Sequence, residues 1–77
     1  MLDISINQLK VGQYATITKI CANKKLLTML TNMGLFIGKR IKIISRNGSI
    51  LLAIGPLRLG ISEKVAKQIF VCPEVKE

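Results

Sequence analysis

The side chains that could carry out chemistry are few, and their spacing does not suit them to it. Histidine is absent from the 77 residues, which removes the commonest proton shuttle near neutral pH. The carboxylates are Asp3, Glu63, Glu74 and Glu77. Asp3, Glu74 and Glu77 fall in expected loose ends, and Glu63 opens a short helix, so no pair is placed for general acid–base work. Ser5, Ser45, Ser49 and Ser62 have no evident base partner. The chain is expected not to be an enzyme. A tetrahedral soft-metal site takes about four Cys or His ligands, usually in close pairs; here there are only Cys21 and Cys72, with no CxxC. They end the first and last expected strands, so the fold could unite them, but the plainer expectation is two small apolar fillers. By the same logic Met29 and Met33 are expected on the core face of a helix. The glycines at 12, 34, 38, 48, 55 and 60 sit at element boundaries and form no phosphate-cradling loop. No cofactor and no metal ligand is therefore expected.

What remains is surface. Twelve Lys and Arg stand against four Asp and Glu, a net charge of +8, which draws a domain toward nucleic acid, an anionic membrane face or an acidic protein. The plainer role of such charge is solubility. At 49% hydrophobic the chain has enough apolar material for a core. A domain this small keeps much of its surface exposed, so some apolar residues are expected to stay outside as a docking patch. The length predicts a single domain over residues 1–77. The N-terminus lacks a basic start followed by a long apolar run, and no charge-free stretch reaches the roughly 20 residues of a spanning helix. A cytoplasmic location with reduced thiols is expected.

The elements that must position this surface follow from periodicity. Ser5 to Gly12 is predicted as a helical turn that tucks Ile6 and Leu9 inward. Gln13 to Ala22 is a β-branched strand in which Ala15 and Ile17 share a face and Ile20 is out of phase, which calls for a β-bulge near Thr18 or Lys19. Asn23 to Met33 is the main helix, capped by Asn23, with Leu26, Met29, Leu30 and Met33 at helical spacing. Gly34 stops it and Leu35 folds back on Leu30. Lys24 and Lys25 stand at the positive end of its dipole, each costing about 0.3–1 kcal/mol. A strand from Lys39 to Arg46 turns through Asn47-Gly48, predicted as type I′, into Ser49 to Ile54. Gly55-Pro56 separates that from a strand alternating Leu57, Leu59 and Ile61 with Arg58 and Gly60. Ser62 caps a short helix to Gln68, with Ile61 and Ala66 as a hydrophobic staple. Ile69 to Cys72 is the last strand, and Glu74 to Glu77 a frayed tail. The fold class is mainly β, a small closed or nearly closed barrel of about five strands with one main helix and a short helical turn.

With these elements in order, the chain resembles the FeoA family, ferrous iron transport protein A. Leu9, Gly12, Ala15, Ile17 and Ile20 are similar to the family's opening pattern. Met33-Gly34-Leu35 followed by Gly38 resembles its Met-Gly-Leu-x-x-Gly motif. Ile41 and Ile43 match the next strand, and Gly60, Ala66, Ile69 and Val71 the closing one. The likeness covers about residues 6 to 72. The chain departs from the family in passing directly through Asn47-Gly48, without a longer polar loop, and in carrying Ile61-Ser62 in place of Leu-Arg. The resemblance implies an SH3-like barrel and a cytosolic accessory of the FeoB-type membrane transporter of ferrous iron. It also implies kinship with domains of iron-dependent repressors, and family-level association with transition metals for which this chain lacks ligands.

The candidate docking surface combines apolar and cationic residues. Ile50, Leu52 and Ile54 face the core, which sends Leu51 and Ala53 outward; Ile44 is expected partly outward, and Phe36 lies between two glycines. Lys39, Arg40 and Lys42 would rim this patch, as an apolar centre with a charged rim suits an interface. The alternative is that these residues cover the barrel's second face or pack under the helix. Lys24 and Lys25 are candidates for an acidic partner or for anionic headgroups beside a membrane-bound one. The competing function is a basic SH3-like module that binds nucleic acid or acts in iron-dependent regulation. Only Tyr14, Phe36 and Phe70 could stack bases, and no base-reading helix is evident, so nucleic acid is the weaker expectation. A self-associating regulator is the third.

Overall fold

The computed structural model describes residues 3–75. Six strands form a single antiparallel sheet in the order β1-β6-β2-β3-β4-β5, one strand more than expected. They are β1 (Ile4–Ser5), β2 (Tyr14–Ile20), β3 (Arg40–Asn47), β4 (Ser49–Ile54), β5 (Leu57–Ser62) and β6 (Ile69–Pro73). A 3-10 turn, Ile6–Gln8, follows β1. Helix α1 (Lys24–Asn32) links β2 to β3, and α2 (Glu63–Ala66) links β5 to β6. The extra strand is β1, only two residues long and paired to β6 through Ile4 with Val71 and Ser5 with Phe70. Its partner lies at the far end of the chain, which local pattern does not reveal.

The curled sheet buries its inner face. Ala15, Ile17, Ile41, Ile43, Ile50, Leu52, Ile54, Ile61, Ile69 and Val71 alternate inward and join Ile6, Leu9, Leu30, Leu35 and Ala66 in one core. Cross-strand pairs such as Ile17 with Val71, Ala15 with Ile41, and Ile43 with Leu52 are the units that hold such a sheet.

Two bulges adjust the alternation. The register shifts between Ile17 and Lys19, as the phase of Ile20 requires, and Ile20 packs partly against the core. A second shift falls between Ile43 and Ser45. It keeps Ile44 on the outer face and pairs Arg46 with core residue Ile50, so Arg46 turns inward at the barrel's end. There its guanidinium donates to the Leu9 carbonyl at 2.8 Å and meets Glu63 at 3.4 Å.

The barrel is not closed by hydrogen bonds, because edge strands β1 and β5 do not pair. The 3-10 turn and α2 pack together at this seam, and Arg46 ties both sides. Covering an edge in this way limits stray strand pairing.

Helix α1 begins and ends as the residue types dictate. The Asn23 side chain accepts the Leu26 N–H at 2.8 Å. At the other end Gly34 takes φ +92°, Leu35 N–H reaches the Leu30 carbonyl at 2.9 Å and Gly34 N–H the Thr31 carbonyl at 3.0 Å, the paired bonds of a Schellman stop. Ser62 caps α2 by accepting from Val65 N–H at 3.1 Å. That helix is shorter than expected and ends at Ala66.

Four expectations are corrected. Met29 is not a core residue but 51% exposed: the buried arc runs through Leu26, Leu30 and Met33, and at about 100° per residue Met29 lies well off its centre. The hairpin at Asn47-Gly48 is not type I′, which needs positive φ at both central residues. Gly48 alone has it, and Asn47 stays in the ladder paired with Ser49. Glu74 is not a loose end: its N–H donates to the Tyr14 carbonyl at 2.9 Å and its side chain is engaged by Arg40. Glu77 lies outside the described residues. The cysteines are not both apolar fillers, since Cys21 is exposed and Cys72 half-buried. Cys72 pairs with Thr16, whereas Cys21 follows Ile20, which pairs with Ile69. Four residues of strand, roughly 13 Å, keep the two thiols apart.

Candidate functional site

The inward alternation of the core sends the remaining side chains to the outer face of β2 to β5. Register aligns Tyr14 with Lys42, Lys42 with Ala53, and Ala53 with Arg58, so one row crosses four strands. Its third residue, Ala53, is small, and a groove of about 610 Å³ opens there, lined also by Lys39, Arg40 and Ile44. Gly38 and Gly55 form one end of it, and their lack of side chains keeps that end open.

Cations and aromatics interlock along this face. The Arg40 guanidinium stacks 4.0 Å from the Tyr14 ring centroid, and the Lys42 ammonium lies 5.2 Å from the same ring. Lys39 sits 5.5 Å over Phe36. Such cation–π contacts hold long side chains in place. Arg40 also binds the Glu74 carboxylate through both oxygens, at 2.5 and 2.9 Å. That hydrogen bond holds the Glu74 carboxyl below its ordinary value and raises Arg40. Among the described residues the only other ion pair is Arg46 with Glu63, so Lys39, Lys42 and Arg58 carry uncompensated charge into the groove.

The structure thus brings together Lys39, Arg40, Lys42 and Ile44 of the expected surface. Phe36, 43% exposed, joins them at the rim through Lys39. Leu51 lies on the same outer face, paired with Ser45 and Gly60, but outside the groove lining. Lys24 and Lys25 are exposed in the first turn of α1, apart from the groove. Sequence reasoning missed Tyr14 and Arg58. Both were legible, because Tyr14 is out of phase with Ala15 and Ile17, and Arg58 with Leu59 and Ile61. It also missed an apolar rim: Ile37 and Leu57 are 64% and 58% exposed at the end of the sheet where β3 begins and β4 turns into β5.

A metal finds no donor set in this arrangement. Among the described residues no three His, Cys, Asp or Glu cluster to hold an ion, so these residues do not fit the transition-metal association that the family resemblance implied. Among the same residues no helix is long and apolar enough to cross a membrane.

The protonation of Glu74 gives a pH prediction. Its folded value lies below its unfolded one, so its contribution is present at neutral pH and lost as pH falls through the folded value. The melting temperature of the wild type is expected to fall more steeply than that of Glu74→Gln below about pH 4.5. Parallel curves in a thermal melt series would show that the ion pair contributes nothing.

Comparison with known proteins settles the family. A model of the FeoA domain matches residues 4–73. The chain belongs to the FeoA family. FeoA membership carries involvement in ferrous iron transport as a small accessory domain. The fold agrees: a crystal structure of an iron uptake regulatory protein (FeoA) superposes with a TM-score of 0.88 at 20% identity, over 96% of this chain and all of the other. IdeR of T. acidophilum superposes at 0.88 with 27% identity over 96% of this chain and 35% of its own. A manganese-dependent transcriptional repressor in complex with manganese also reaches 0.88, at 19% identity, over 96% of this chain and 38% of its own. The FeoA-family chain thus corresponds to about a third of the length of those two proteins. No curated protein sequence matches it.

Proposed function

We propose that this chain docks on the cytosolic part of a FeoB-type membrane transporter of ferrous iron and modulates it from the cytoplasm. Membership in the FeoA family supports the setting. The observation that carries the reading is the outer-face groove, which Lys39, Lys42 and Arg58 line without a carboxylate partner among the described residues. A domain without catalytic machinery alters a transporter only by binding one of its conformations better than another. Lys24 and Lys25 add long-range attraction to an acidic partner or to nearby anionic headgroups, about 1 kcal/mol for each charge close to the membrane.

Reversing Lys24 and Lys25 to Glu is expected to raise the melting temperature, because the helix dipole then favours both side chains, while weakening docking. Unchanged melting and unchanged affinity together would contradict this role.

The second reading is a regulatory module that binds nucleic acid, favoured by the +8 charge. A calorimetric titration against the transporter's cytosolic region, with a generic DNA duplex in parallel, separates the two. Saturable binding to the region and none to the duplex at physiological salt supports docking. Steeply salt-dependent binding to the duplex alone supports the other.

A further inference from the structure

The groove's side chains restrict what can occupy it. We propose that it binds an extended acidic segment of a partner protein, an inference that rests on the docking reading and names the chemistry of what docks. Lys42 on β3 and Arg58 on β5 flank Ala53 on β4 in one cross-strand row. Two inter-strand steps set their backbones roughly 10 Å apart, with only a methyl group between them. A peptide strand lying over Ala53 is therefore gripped from both sides. Acidic side chains on its groove-facing side turn to Lys42 on one flank and to Arg58 on the other, and Lys39 stands at the end beside Gly38.

The chain itself displays how a carboxylate is received on this face. Glu74 binds Arg40 through both oxygens while Arg40 stacks on Tyr14. That bond satisfies Arg40 alone. The other three cations of the groove have no counterpart among the described residues, so complementarity is left to an incoming chain.

Other polyanions fit less well. Tyr14 is engaged by Arg40 and Lys42, and Phe36 by Lys39, which leaves the groove and its rim without an unengaged aromatic for a base to stack on. A bilayer is planar and meets the rim of a hollow, whereas Lys42 and Ile44 are half-buried within it. A narrow acidic peptide reaches them.

Tyr14 makes the test direct. It is the only tyrosine, and tryptophan is absent, so tyrosine emission reports on the surroundings of Tyr14 in the groove wall, and the double variant below assigns the response to the groove. The full chain is titrated with a ten-residue peptide of alternating glutamate and alanine, and with its lysine counterpart. The glutamate peptide is expected to change the emission saturably, less so as salt rises, and the lysine peptide not at all. The double variant Lys42→Glu/Arg58→Glu is expected to weaken the response roughly tenfold or more. Lys64→Glu, at an exposed position of α2, carries a charge reversal away from the groove and is expected to bind like the wild type. No response to the glutamate peptide, or an equal one from the double variant with intact far-UV dichroism, overturns the proposal. So does a response to phosphatidylserine vesicles or DNA that the peptide fails to give. Binding of the transporter's cytosolic region that the double variant leaves unchanged sinks this assignment and spares docking. Binding of the peptide without binding of that region does the reverse.

Discussion

Leu30→Ala is expected to destabilise the domain by about 2–5 kcal/mol and lower its melting temperature by more than about 10 °C. Leu30 is the one fully buried residue of α1. Its neighbours on the stripe, Leu26 and Met33, are only partly buried against the core, so Leu30 is the main anchor of the helix. Its carbonyl also receives the Leu35 N–H, and Leu35 is itself fully buried. Truncation therefore leaves a cavity where helix and loop meet the sheet. Small domains hold about 5–15 kcal/mol in total, so a single cavity removes a large share. Chemical denaturation checks this, and a loss below about 1 kcal/mol would mean that α1 is not anchored through Leu30.

Gly34→Ala is expected to cost about 1–2 kcal/mol. The cause is conformation rather than crowding: an added Cβ would meet nothing within 4 Å, but φ is +92°. An L-residue there must hold an unfavourable backbone or give up the bonds from Gly34 and Leu35 that end α1. The loss is expected to be less than additive with Leu30→Ala, because the two changes share one hydrogen-bonded loop. An unchanged denaturation midpoint for Gly34→Ala would show that another backbone geometry ends the helix at no cost.

Local grammar made much of this legible. Asn23, Gly34 and Ser62 set helix limits through their own side chain or lack of one, and each does so in the structure. The misplaced phase of Ile20 revealed a bulge because only one register buries it. The bulge at Ile44 had no such sign, since Ile43 and Ile44 are equally apolar and either could face inward. Strand β1 and the Arg40–Glu74 pair join residues far apart in sequence, where local periodicity says nothing. Met29 lies outside the core because the buried stripe on this nine-residue helix is narrower than its apolar spacing suggests.

The site was legible in part for the same reason. Lys39, Arg40, Lys42 and Ile44 are neighbours in sequence, and strand alternation suffices to place them together. Arg58 enters the groove only through two rounds of pairing, β3 with β4 and β4 with β5. The hollow itself depends on Ala53 being small between two long side chains, a relation that appears only once the strands are aligned.

This FeoA-family chain is proposed to act by docking through the outer face of its sheet. Amide chemical shifts of the labelled chain, recorded as the transporter's cytosolic region is added, test it most directly. Changes are expected to concentrate at Tyr14, Lys39 to Ile44 and Ala53 to Arg58. Changes confined to α2 and the seam side of the barrel, or none at saturating concentrations of that region, would contradict it.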